Sequence, residues 1–306
     1  MKPMGGSEIL YLNMLKYVGT SWSDRVNLIL SFCFPEQIQP GKINVMWQHL
    51  NSNEESCFGM KDLKFVEQLD YLIFVSHWQF NKFKQEFNIP AYKSVIIRNA
   101  VEPIPFVKKT NTGKLRLVYT STPWRGLDVL LNALLLLNRD DVELDIFSST
   151  KIYGDHFEKI TTGQFDWLFQ QAKTQKNVRF HEYQPNDVVR NCVQQAHIFP
   201  YPSTFEETSC LSAIEAASAG CQIVTTNLGA LPETCNDWAT YIPHGPNREV
   251  LASRFAVELE KAINNYWDEE NQNSLLAQST HYHKYWSWET RAKDWQTFFN
   301  TITNHE

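Results

Sequence analysis

The chain lacks any apolar run long enough to span a membrane: its longest, Leu127 to Leu137, is interrupted by Asp128 and Asn132. The N-terminal residues carry no apolar core of a secretion signal, so a cytoplasmic location is expected. Basic residues are in deficit, with 28 Lys and Arg against 34 Asp and Glu and a formal net charge of -6. Phosphate-backbone binders usually carry basic stripes, so a nucleic-acid partner is not expected. Cysteine is sparse and scattered. Cys33, Cys57, Cys192, Cys210, Cys221 and Cys235 show neither metal-ligand nor redox spacing, and they read as reduced thiols, several in a core. Repeats and low-complexity tracts are absent. What remains is 306 residues, 43% of them hydrophobic, enough for two ordinary cores.

Apolar strand patterns alternate with helical ones, the pattern of doubly wound α/β layers. The first third predicts helix Glu8 to Tyr17, strands Val26 to Phe32 and Ile43 to Trp47, helix Leu63 to Gln68, strand Tyr71 to Val75, helix Trp78 to Phe87 and strand Ser94 to Ile97. From Pro103 to Gly113 periodicity gives way to Pro, Lys and Gly, and a linker is expected there. Further strands are predicted at Leu115 to Thr120, Glu143 to Phe147, Val178 to Phe180, His197 to Tyr201, Gln222 to Thr226 and Thr240 to Ile242. The polar and aromatic segment Thr150 to Thr162 is expected to be a mobile loop. At the end of the chain Trp286, Trp288, Trp295, Phe298 and Phe299 follow a helical pattern, with Ser287 as its cap.

The most informative stretch runs from Phe205 to Glu233. Leu211, Ile214, Ala217 and Ala219 form an apolar stripe behind a Thr/Ser lead-in, and Gly220 is a natural stop, so a helix is predicted from near Thr208 or Ser209. Its open N–H groups and positive dipole end form an anion site. Eight residues at helical rise separate Glu207 from Glu215 by roughly 12 Å. That span suits a nucleotide sugar, with hydroxyls at both ends and a diphosphate between. Earlier, the strand at Leu115 runs into hydroxyl-bearing Thr120, Ser121 and Thr122, then Arg125 and a helix from about Gly126. A hydroxyl-rich turn and a basic residue at a helix start make a phosphate cradle.

These two segments together resemble the donor-binding signature of the retaining glycosyltransferases of family 4, enzymes of GT-B fold. The family pattern is a glutamate, seven residues, a second glutamate, a small-residue helix, a buried strand and a Gly loop ending in Pro-Glu. Glu207, Glu215, Gly220, Gln222 to Thr226, Gly229, Pro232 and Glu233 fill it. The resemblance implies two Rossmann-like domains facing a cleft: residues 1–105 on the acceptor side, 106–283 on the donor side, and 284–306 as a helix crossing back. It implies that Glu215 holds the ribose hydroxyls and that Glu207 lies near the transferred sugar. Arg125, beside Gly126, would neutralise the diphosphate together with Thr120, Ser121 and Thr122. The helix start at Thr208, Ser209, Cys210 and Leu211 would assist, and Tyr183 would stack on the base. On the acceptor side, Gly5 and Gly6 form a glycine pair before Glu8, His49 faces the donor sugar and acceptor, and Ser76 or His77 borders the acceptor. Asn99 reads as a turn former.

The implied reaction is transfer of a sugar from a UDP- or GDP-type donor to an acceptor hydroxyl on a carbohydrate-type acceptor, a glycan, lipid-linked sugar or similar, with retention. No metal or other cofactor is expected, since the Asp-x-Asp motif of metal-dependent GT-A enzymes is missing. Alternatives are a nucleotide-sugar epimerase of the same architecture and a non-catalytic nucleotide-sugar or carbohydrate binder. The chain departs from the family at Thr120, where an arginine is commoner, and at its start, where Met1 to Met4 replace a first strand. Either the first sheet is a strand short, with Val26 to Phe32 central, or the true start lies upstream. The acceptor site would then be open, or completed by a partner or a second copy.

Overall fold

The structure is a computed structural model that describes residues 5–151, 159 and 161–304. Met1 to Met4 and much of the Thr150 to Thr162 segment, expected to be mobile, lie outside those residues. The first sheet holds β1 (Val26–Leu30), β2 (Ile43–Gln48), β3 (Tyr71–Phe74) and β4 (Ser94–Ile96), in that spatial order and all parallel. Helices α1 (Gly6–Val18), α2 (Leu63–Gln68) and α3 (His77–Phe87) accompany it. The second sheet is built from β5 (Leu115–Tyr119), β6 (Val142–Ile146), β7 (Val178–Phe180), β8 (Ile198–Tyr201), β9 (Gln222–Thr226) and β10 (Ala239–Ile242), in the order β10-β9-β8-β5-β6-β7. Its helices are α4 (Leu127–Leu137), α5 (Asp166–Thr174), α6 (Asn186–Gln195), α7 (Leu211–Ser218), α8 (Leu231–Cys235), α9 (Arg248–Asn264) and α10 (Glu269–Tyr285), and α11 (Trp288–Thr303) ends the chain.

Local sequence explains these elements. The central strands are β-branched and apolar because helices cover parallel sheets on both faces. Ser76 accepts the Gln79 N–H at 3.1 Å to start α3, and Asn247 accepts that of Val250 at 3.0 Å to start α9. Asn88 and Asn138 stop α3 and α4 at φ of 54° and 45°, a left-handed conformation that asparagine tolerates better than most residues.

Two expectations need correction. β1 is an edge strand with β2 as its neighbour, not a central one. The segment after Glu207 becomes helical only at Leu211, with Cys210 as cap, so Thr208 and Ser209 belong to the preceding loop. The C-terminal aromatics divide at the Ser287 cap: Trp286 belongs to the core of the second sheet, while Trp288, Trp295, Phe298 and Phe299 belong to that of the first. α11 crosses back to the first sheet, setting Trp295 edge-on to Trp47 at 4.6 Å and Phe299 against Trp22 at 4.6 Å. The two passages of the chain between the sheets are tied together, since Val101 N–H donates to Trp286 O at 3.0 Å and Trp288 N–H to Val101 O at 3.2 Å. Among the described residues no helix is long and apolar enough to cross a membrane.

Candidate active site

In the second sheet the strand order reverses between β5 and β8, and loops leaving such neighbours part to opposite sides and open a crevice at their carboxyl ends. Thr120 to Arg125 follow β5 and Pro202 to Cys210 follow β8. The residues after β2 and the start of α1 close the crevice from the other side, giving a cleft of about 930 Å³. Of the residues singled out in the sequence, Gly5, Gly6, His49, Thr120, Ser121, Thr122, Arg125, Glu207, Thr208, Ser209, Cys210, Leu211 and Glu215 line it.

The others, Asn99 apart, lie elsewhere. Glu8 is exposed on α1. Ser76 is buried and donates its hydroxyl to Thr208 O at 2.7 Å, which joins the two halves beneath the cleft. His77 is also at this junction: Glu233 accepts the N–H groups of His77 and Trp78 at 3.1 Å each and pairs with the His77 ring at 2.9 Å. Glu233 thus caps α3 from the opposite half. Tyr183 is half-buried outside the cleft, and Asn99 borders it. Gly126 acts through its backbone: at φ 96° a Cβ there would meet Pro202 O at 2.0 Å.

The centre of the cleft is an ion pair. Arg125 Nη1 lies 2.7 Å from each oxygen of Glu207, and the Tyr201 hydroxyl donates to Oε1 at 2.5 Å. Glu207 is only 2% exposed, so these partners are what make burial of its carboxylate tolerable. Burial, followed by the Glu207 charge, holds the Tyr201 phenol well above its usual range and keeps it a donor. The Phe205 ring lies 4.5 Å under the guanidinium. Gly229 fits the loop after β9 against this pair: at φ 64° a Cβ would fall 2.5 Å from Glu207 N, and Ala230 N–H donates to Glu207 O at 2.7 Å.

Glu215, on α7, forms the second acidic pole. Arg190 donates from Nη1 to Glu215 Oε1 at 2.5 Å and from Nη2 to Glu102 O at 2.7 Å. Burial raises the Glu215 pKa, and Arg190 opposes that shift. On the opposite wall Burial likewise raises that of Glu54, against the Asn51 N–H it accepts at 2.9 Å and the nearby Arg125 charge. Burial depresses His49 to about 3, so its imidazole is neutral near pH 7. Ser31 Oγ lies 3.1 Å from its Nδ1, and the His49 carbonyl accepts the Thr208 hydroxyl at 2.7 Å. The hydroxyls of Thr122 and Ser209 are buried at the cleft without a hydrogen-bond partner among the described residues.

The sequence reading passed over Arg190, Glu54, Asn51 and Tyr201. For Arg190 the available signal was an arginine one turn into a helix whose start, Asn186-Asp187, borders the cleft. For Glu54 and Asn51 it was a polar run directly after a strand end.

Residues 114–265, just under half of the chain, match the model of the family described as Glycosyl transferases group 1. No curated protein sequence matches the chain. Solved structures do. A glycosyltransferase from Rickettsia africae ESF-5 superposes with a TM-score of 0.70 at 14% identity, over 99% of this chain and 83% of that one. Sucrose-phosphate synthase from Thermosynechococcus elongatus gives 0.70 at 13%, over 98% and 79%. HepE from Anabaena in complex with UDP-glucose gives 0.68 at 15%, over 94% and 82%. The fold is therefore α/β of the GT-B type, with two Rossmann-like sheets facing the cleft.

Proposed function

We propose that this chain is a glycosyltransferase that moves a sugar from a nucleotide diphosphate sugar to an acceptor hydroxyl, with retention and without a metal ion. The observation that carries the reading is the meeting of Arg125, Glu207 and Glu215 in one cleft at the strand-order reversal, beside the unpartnered hydroxyls of Thr122 and Ser209. Glu215 takes the ribose hydroxyls and the start of α7 faces the diphosphate. Arg125, positioned before charge develops, stabilises the departing phosphate oxygens. Glu207 and neutral His49 border the transferred sugar. The bond from the anomeric carbon to phosphate oxygen breaks, a bond to the acceptor oxygen forms on the same face, and the acceptor proton passes to the leaving phosphate. The UDP-glucose held by the similar HepE structure favours a uridine donor.

The test is nucleoside diphosphate release from UDP-glucose and GDP-mannose with a panel of sugar acceptors, in the presence of EDTA, with product configuration read by NMR. Acceptor-dependent release giving the donor's own anomeric configuration supports the proposal. A changed sugar without transfer identifies an epimerase, and nucleotide binding with no turnover identifies a binder; either result overturns it.

A further inference from the structure

We infer that Arg190 is a positioning residue that holds the Glu215 carboxyl group oriented toward ribose hydroxyls, so that recognition of the ribose depends on a guanidinium outside the two-glutamate signature. The inference rests on the donor-site reading above. Glu215 and Arg190 both line the cleft, and both side chains are largely buried, at 21% and 22% exposure. Arg190 reaches Glu215 Oε1 with one nitrogen and the Glu102 carbonyl with the other, spanning from α6 to the segment that leaves the first sheet. A guanidinium is a rigid fork, so anchoring one nitrogen on Glu102 O fixes where the other presents itself. Among the described residues nothing donates to Glu215 Oε2. An oxygen held in this way, on a carboxyl group fixed by a guanidinium, is suited to accept from a diol. Without Arg190, burial alone acts on Glu215 and favours its protonated form, which accepts hydroxyl hydrogen bonds less well.

A merely structural arginine would weaken all nucleotides alike, whereas a positioning arginine is coupled to the ribose hydroxyls. The experiment is calorimetric titration of wild type, Arg190→Met and Arg190→Lys with UDP and 2′,3′-dideoxy-UDP, repeated with GDP and its dideoxy analogue. Charge-assisted hydrogen bonds to two hydroxyls predict that wild type prefers the intact ribose by about tenfold or more. Arg190→Met is expected to erase that preference, and Arg190→Lys to keep only part of it. Retention of the full preference in a folded Arg190→Met overturns the inference and leaves the donor site standing. If the Met variant does not fold, Arg190→Lys decides: a reduced preference supports the inference and an unchanged one overturns it. Failure of wild type to bind any of these nucleotides removes the donor-site reading itself, and the inference with it.

Discussion

Arg125 Nη1 stands 2.7 Å from both carboxylate oxygens of Glu207, with the two residues delivered by loops that leave adjacent strands of the second sheet. Each group is therefore the other's counter-ion. On the proposed function, a donor diphosphate at Arg125 would compete with Glu207 for the guanidinium, and a sugar at Glu207 would compete with Arg125 for the carboxylate.

The pair has a predicted stability signature. Replacing Arg125 by Met leaves a carboxylate that is 2% exposed without its counter-ion, and breaking a buried pair on one side costs about 3 kcal/mol. The double replacement Arg125→Met with Glu207→Gln should cost less than Arg125→Met alone. Urea denaturation of wild type and the two variants checks this, and a double variant no more stable than the single would contradict it.

Gly229 should not tolerate a side chain. Alanine would adopt φ 64° with its Cβ 2.5 Å from Glu207 N and 2.6 Å from Glu207 O. The left-handed conformation alone costs about 1–2 kcal/mol. Gly229→Ala should lower the melting temperature and shift Glu207, with weaker nucleotide binding as the second readout. Gly245→Ala, where an added Cβ meets nothing within 4 Å, is the control.

Stability should fall in mild acid. Burial lowers His49 to about 3 and His197 to about 4, each from an ordinary value of 6.5. Below about pH 6.5 the unfolded chain therefore binds protons that the folded chain does not, and stability declines as pH falls toward those depressed values. The slope is on the order of 1 kcal/mol per pH unit for each group. Melting curves at about pH 7.5 and about pH 5 should differ, and His197→Phe should narrow the gap. Parallel loss in that variant and wild type would show that His197 does not titrate as stated.

The crossing helix should matter more to the first sheet than its distance along the chain suggests. Trp295 is fully buried against Trp47, and truncation of a buried aromatic costs about 3–5 kcal/mol. Trp295→Ala should destabilise the chain by that amount in urea, and hydrogen exchange should rise in β2 more than in β9.

The strands were legible because β-branched apolar runs bounded by turn residues have few other uses. Val178–Phe180 and Gln222–Thr226 have the boundaries expected of them. The position of Glu215 within a helix was legible for the same reason, as small residues at helical spacing frame it. The helix start was misread because Thr208 and Ser209 resemble caps, yet Thr208 spends its hydroxyl on His49 O and its carbonyl on Ser76. The place of β1 was not legible, since spatial order depends on long-range pairing and not on local pattern. Arg190 and Glu54 were invisible for a related reason: each gains its meaning from a partner on another element. The split of the C-terminal aromatics between two cores follows from the Ser287 cap, which was legible: Trp286 lies before the cap and packs in the second core, and the aromatics after it pack in the first.

The most direct test of the donor site is a thermal-unfolding panel of wild type and Glu215→Ala with UDP, GDP, ADP and their sugar conjugates. A ligand at 100 times its dissociation constant stabilises the folded state by roughly 2.7 kcal/mol. The account predicts a clear rise in melting temperature with one nucleotide class, the uridine series first, and loss of most of that rise in Glu215→Ala. A flat panel in wild type, or an equal rise in the variant, would contradict it.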